Sequence, residues 1–207
     1  LVRKTSALEK TLVLTDVSGS MYGGYSNTSV RPIDVSIALS LLIARTSTAP
    51  WNDSVIAFST NPTFWKIPDG TLLDMCRGIK DIEQGFNTNF YKVFKQIIAR
   101  HDQYKLKPEE HPEQIIVISD MQFDTADNNS GTNLQAIDSL YQQHKPPLKR
   151  PKLVFWNVNS GLDFPATTRD DNVCLIGGFS PSIMTALTTT KEFTPTIYLS
   201  LLSTFAW

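Results

Sequence analysis

"TLVLTDVSGSM", Thr11 to Met21, is the stretch on which the reading of this chain turns. Leu12-Val13-Leu14 is a short apolar run of the kind that forms a buried strand. It leads straight into Asp16, Ser18, Gly19 and Ser20. A core strand that ends in one carboxylate and two hydroxyls suits a nucleophile, a phosphate cradle or a metal seat. The pattern downstream has to separate them.

That pattern alternates strand and helix. Thr11–Asp16 reads as the first strand, and Pro32 opens a helix at its first position, where a missing N–H is tolerated. Ile33, Ile37, Ala38, Leu41 and Leu42 recur at helical spacing and are expected to face inward. Ser54–Ser59 and Thr63–Ile67 read as two strands joined by an Asn61-Pro62 turn, a hairpin that makes one of them an antiparallel edge. Helices are expected at Thr71–Ile79, Asn89–His101 and Asn133–His144. Further strands are expected at Gln114–Asp120, Lys152–Val158 and Asn172–Gly178, with two short helices near Pro181–Thr188 and Thr196–Ser203. Near-continuous apolar strands separated by helices predict an α/β fold, with a mostly parallel six-stranded sheet covered on both faces. No internal repeat or low-complexity linker interrupts it, so one domain over residues 1–207, with a core from about residue 11 to 205, is expected.

Composition narrows the function classes. At 41% hydrophobic and 19% charged residues the chain is globular, with enough apolar material for a sizeable core. Nineteen basic against 20 acidic residues leave a net charge of −1, so no global field recruits nucleic acid or an anionic membrane. The basic stretch "KPPLKRPK", Lys145–Lys152, reads as a solvated, proline-stiffened loop. Cys76 and Cys174 stand apart from any CxxC and are expected as buried, reduced thiols. No stretch approaches the roughly 20 apolar residues of a membrane span, and Leu1-Val2-Arg3-Lys4 does not begin a secretory signal. The expectation is an intracellular, cytoplasmic protein with no membrane contact. A start without Met suggests the C-terminal part of a longer chain.

In a doubly wound sheet, ligands bind beyond the carboxyl ends of the strands, where strand order reverses. Asp16 and Asp120 both end strands and would project there. A serine nucleophile lacks the G-x-S-x-G elbow. The three histidines, His101, His111 and His144, fall at helix ends or in polar segments where solvated histidines are usual, so no base is placed to activate a hydroxyl. A haloacid-dehalogenase-like phosphotransferase would place a second Asp where Ser18 stands, and a phosphate-binding P-loop would need Gly-Lys-Ser/Thr. A hard divalent cation accepts what is present. Mg²⁺ takes six oxygens from hydroxyls, carboxylates and water. Gly19 is expected to supply the backbone freedom that turns Ser18 and Ser20 toward one point. Thr88, in "GFNTNF" (Gly85–Phe90), offers a third hydroxyl. Taken singly, Thr88 also reads as a helix cap and Asp120 as a turn cap.

"DVSGSM", "GFNTNF" and "VISDMQFD", in this order on this strand–helix pattern, resemble the metal-ion-dependent adhesion site of a von Willebrand factor A (vWA) domain. The resemblance covers nearly the whole chain. It implies a three-layer, Rossmann-like vWA fold, with Asp16, Ser18 and Ser20 in the first metal loop, Thr88 in the second and Asp120 in the third. "DVSGSM", "SDMQFD" and "VFWNVN" are further similar to the C-terminal part of an uncharacterised family of plants and large DNA viruses. Whole members of that family resemble the Ro ribonucleoprotein, in which an α-helical repeat region binds RNA and the A domain sits beside it. Such repeats are absent here, so any RNA contact would be indirect, through N-terminal regions outside this chain. Two features depart from the family pattern: the long loop Tyr22–Arg31 directly after the motif, and Asp124, an added acid near Asp120 that would sit in an outer shell, rim the site or face solvent.

The resemblance implies Mg²⁺, with Mn²⁺ or Ca²⁺ as alternatives, bound mostly through neutral hydroxyls. An ion so held keeps its electrophilicity, and an open position would accept an Asp or Glu from a protein partner. The leading expectation is a metal-dependent protein-interaction module that is not an enzyme. A scaffold domain of a Ro-like chain with a vacant site is the alternative. A metal-assisted hydrolase, with Asp124 as its base, is the third reading.

Overall fold

A computed structural model of the chain describes residues 8–23, 30–57, 61–82, 90–121, 130–158 and 172–178. Its elements run β1 (Thr11–Thr15), α1 (Pro32–Thr46), β2 (Ser54–Ala57), β3 (Phe64–Lys66), α2 (Leu72–Lys80), α3 (Phe90–Gln103), β4 (Gln114–Ser119), α4 (Ser130–Gln143), β5 (Lys152–Asn157) and β6 (Val173–Gly177). The two expected helices near Pro181 and Thr196 lie outside the described residues.

The strands form one six-stranded sheet in the order β3-β2-β1-β4-β5-β6. Every neighbouring pair is parallel except β2–β3, the expected hairpin, which leaves β3 as the antiparallel edge. β1 pairs with β2 on one side and β4 on the other, with Thr15 opposite Ile118. The order therefore reverses between β1 and β4, and that pair defines the crevice where such sheets bind ligands.

The period-two alternation of strands assigns their side chains to two apolar layers. Val13, Val55, Ile116, Val154 and Trp156 pack with Ile33, Ile37 and Leu41 of α1 and Ile79 of α2. Leu12, Leu14, Ile56, Ile115, Val117 and Phe155 pack on the other face with Val93, Phe94, Ile97 and Ile98 of α3 and with Ile137 and Tyr141 of α4. Each fully buried aliphatic or aromatic side chain contributes about 1.5–3 kcal/mol relative to exposure. Both faces of the sheet are thus covered.

The inward stripe of α1 differs from the expected one at two positions. Ile33, Ile37 and Leu41 are buried, but Ala38 is exposed and Leu42 is 45% exposed. Leu39, Ile43, Ser36 and Ser40 are buried instead. α1 lies over the central strand and packs on more than one side, so its buried arc is wider than a single stripe, and the Ser40 hydroxyl meets Thr15 Oγ1 at 2.5 Å. α2 is capped by Thr71, whose hydroxyl accepts from Asp74 N at 3.3 Å while Asp74 accepts from Thr71 N at 2.9 Å. Gly78 lets α2 approach β3: a Cβ there would stand 2.7 Å from the Trp65 ring.

Three further expectations need correction. His101 and His111 are buried, each 4% exposed, rather than solvated. Cys76 and Cys174 are unbridged as expected, but only half-buried. The basic link before β5 is less solvated than its composition suggests: Leu148 is buried, and Arg150 pairs with Asp138 at 2.5 Å. Among the described residues no helix is long and apolar enough to cross a membrane.

Candidate metal centre

Asp16 leaves the carboxyl end of β1 and Asp120 that of β4, so the parallel pairing of the two strands sets both acids on one edge of the sheet. The Asp16 backbone N–H donates to Ile118 O at 3.0 Å, continuing the ladder beyond the last strand residue. Both carboxylates are buried, 4% and 5% exposed.

Asp16 is held on three sides. Its Oδ1 accepts from the Ser18 backbone N–H at 2.9 Å, its Oδ2 accepts from the Ser119 hydroxyl at 2.6 Å, and its carbonyl accepts from the Ser36 hydroxyl of α1 at 3.0 Å. The loop then tightens into one 3₁₀ turn, Gly19–Tyr22, anchored by the buried Met21. Ser18, which precedes the turn, and Ser20 within it bring their Oγ atoms to 3.0 Å. Gly19 is not needed for the expected backbone freedom, since its φ lies outside the left-handed region and a Cβ there would meet nothing within 4 Å. The left-handed residue of this region is Met121, φ 61°, directly after Asp120. A non-glycine residue in that conformation costs on the order of 1–3 kcal/mol. The Ser119 hydroxyl supports the turn by accepting from Met121 N at 3.0 Å.

Burial raises the Asp16 carboxyl above its ordinary range, and the nearby Asp120 carboxylate pushes in the same direction. The hydrogen bonds from Ser119 and Ser18 oppose both without cancelling them. Two neighbouring buried acids are the setting in which a cation is most favourable. The oxygens present also suit a hard ion. Adjacent ligands of octahedral Mg²⁺, at 2.0–2.1 Å from the metal, stand about 3 Å apart, which matches the Ser18–Ser20 separation. Among the described residues no three His, Cys, Asp or Glu side chains converge as a metal-holding group. An ion at this edge would therefore draw much of its shell from hydroxyls and water.

The structure thus brings together Asp16, Ser18, Ser20 and Asp120. Thr88 and Asp124 lie outside the described residues. Ser119, Ser36 and Met121 escaped the sequence reading. For Ser119 the available signal was a hydroxyl ending an otherwise aliphatic strand. Met121 gave none, because its sequence does not announce a left-handed backbone.

Comparison with known proteins agrees with the sheet. The model of a family described as "Domain of unknown function (DUF7788)" matches residues 10–197. "Uncharacterized protein L728" of Acanthamoeba polyphaga mimivirus is 25% identical over 201 residues, which is 94% of this chain and 33% of that protein. Among solved structures, the RO (RSR) protein of Deinococcus radiodurans is similar at a TM-score of 0.62 and 20% identity, over 90% of this chain and 35% of that one. The chain spans about a third of the length of both. At this identity the structural likeness establishes the fold alone: an α/β fold with a mostly parallel sheet and helices on both faces.

Proposed function

For a chain that belongs to the DUF7788 family, a domain of unknown function, we propose the role of a metal-dependent protein-interaction module. Asp16, Ser18, Ser20 and Asp120, joined by Thr88 from its loop, would hold Mg²⁺ or Mn²⁺, and the ion would supply a Lewis-acidic position for the Asp or Glu of a partner protein. The observation that carries this reading is the Ser18–Ser20 hydroxyl pair, 3.0 Å apart next to the buried Asp16. The chain's own residues do the positioning. Ser119 and the Ser18 amide fix the Asp16 carboxylate, and the buried Met21 anchors the turn that carries Ser20 and that Ser18 precedes.

Thermal unfolding with increasing Mg²⁺ or Mn²⁺ tests the site. An ion that binds only the native state raises stability by mass action, by about 2.7 kcal/mol at a hundredfold excess over its Kd. The wild type is expected to gain and Asp16→Ala to gain nothing. A wild type indifferent to millimolar metal overturns the reading.

A scaffold domain within a longer Ro-like chain is the second reading, favoured by the fold likeness and by the one-third coverage of both similar proteins. Any RNA contact would then belong to regions outside this chain. Partner capture that survives chelation supports the scaffold, and capture lost on chelation supports the module. A metal-assisted hydrolase would need Asp124 as its base, because the three histidines lie at the other end of the strands. Turnover of a generic phosphoester, lost in Asp124→Ala, would carry that third reading.

A further inference from the structure

The chain's three histidines, His101, His111 and His144, come from three different segments and meet at one place. His101 near the end of α3, His111 just before β4 and His144 just after α4 gather at the amino-terminal edge of the parallel strands, the edge opposite Asp16. The His101 and His111 rings lie 5.0 Å apart, and those of His101 and His144 5.7 Å apart. Tyr141 of α4 completes the cluster, 5.4 Å from His111, and Trp51 closes it at 6.1 Å. We propose that these histidines and Tyr141 form a pH-responsive latch that fastens the far ends of α3 and α4 to the entry of β4.

The hydrogen bonds fix the protonation states. His111 Nδ1 and His101 Nδ1 are 3.2 Å apart, so one must donate and the other accept. A second proton on this pair would point two N–H groups at each other. His111 Nε2 is also bonded to the Tyr141 hydroxyl at 3.3 Å. His144 differs: Nδ1 donates to Pro146 O at 2.6 Å and Nε2 donates to Asp102 Oδ1 at 2.8 Å, which requires both nitrogens to carry protons. The closed arrangement is therefore one imidazolium at the rim over two buried imidazoles that share a single added proton at most.

The charged and titratable surroundings agree with this division. Asp102 and Arg100 come from α3, Glu110 from the turn before β4, Tyr141 from α4 itself, and Arg150 from the link to β5. Burial depresses His111 to about 3, helped by His101 and His144, while burial and then His144 lower His101. The bonds to Pro146 and Asp102 raise His144. Below the ordinary histidine value of 6.5 the opened form takes up protons at His111 and His101 that the closed form refuses, so the latch weakens as pH falls. Above 6.5 the closed form retains a proton on His144 that the opened form gives up, so the latch weakens again as pH rises through the raised His144 value. It is tightest near neutrality. α3 begins two residues after Thr88 and α4 ten residues after Asp120, so the latch joins the far ends of the two helices that follow those positions. The latch stands on its own contacts and does not depend on the metal reading.

Hydrogen exchange of the amides of residues 97–103 and 137–143 reads the latch directly. After allowance for intrinsic exchange, opening is expected to rise about tenfold per pH unit below 6 for each extra proton taken up, while the amides of β5 change little. His111→Gln should flatten that acid response. Proton NMR of the wild type gives a second measurement that needs no variant. One histidine should titrate above 6.5 and two below it, with the first assigned by its loss in His144→Gln. Three histidines titrating together near 6.5, or an acid response undiminished in His111→Gln, would overturn the proposal.

Discussion

Asp16 is defined more by its neighbours than by its own chemistry. Ser119 offers its hydroxyl to Asp16 and accepts from the Met121 amide, so one oxygen ties the acid to the left-handed turn after Asp120. Ser119→Ala leaves a buried carboxylate oxygen and a buried amide short of a partner. The expected loss is about 1–3 kcal/mol, read from the denaturant midpoint, together with a weaker response to Mg²⁺. The residue scale is also where sequence reading failed most plainly. Asp16, Ser18 and Ser20 were legible because they stand close together in the chain. The burial of His101 and His111 was not, because only tertiary contact with Trp51, Tyr141 and each other removes them from water.

Elements were legible wherever apolar spacing and punctuation agreed. Pro32 opens α1 and Thr71 caps α2, and both helices start where those residues stand. Which face of α1 is buried was less legible, since a helix covered on several sides loses its single stripe, and Leu42 faces out. α2 shows the converse, a mid-helix glycine kept for space. Ordinarily Gly→Ala in a helix gains up to about 1 kcal/mol. At Gly78 the new methyl would strike the Trp65 ring at 2.7 Å and Pro68 at 3.0 Å. Gly78→Ala is therefore expected to destabilise by about 1–3 kcal/mol, with a blue- or red-shifted Trp fluorescence reporting the displaced ring.

At the scale of the molecule the mostly parallel sheet with its one antiparallel edge was read correctly, because parallel strands buried on both faces leave long apolar runs; the strand order came only from the structure. The segments that hold Thr88, between α2 and α3, and Asp124, between β4 and α4, carry no such apolar pattern in sequence and lie outside the described residues. The two ends of the sheet should answer acid differently. Burial and Asp120 hold Asp16 above its ordinary value, so its protonation on acidification relieves the metal-free fold while competing with any bound cation. The stabilisation by Mg²⁺ is thus expected to shrink as pH falls through that raised value. Exchange at the histidine end should follow the same acid response with or without Mg²⁺. Parallel titrations of thermal stability and amide exchange at pH 7.5, 6.5 and 5.5, each with and without the ion, separate the two.

The edge strand β3 is only three residues long and reversed relative to β2, with Pro62 before it and Pro68 after it. Prolines cannot donate to a ladder, and so short a strand offers little template for another chain. Growth of the sheet by an added strand is discouraged at this border. A molecule that recognises the domain is steered instead toward side chains and loops, and the carboxyl ends of β1 and β4 are where the most chemically distinctive of those are displayed.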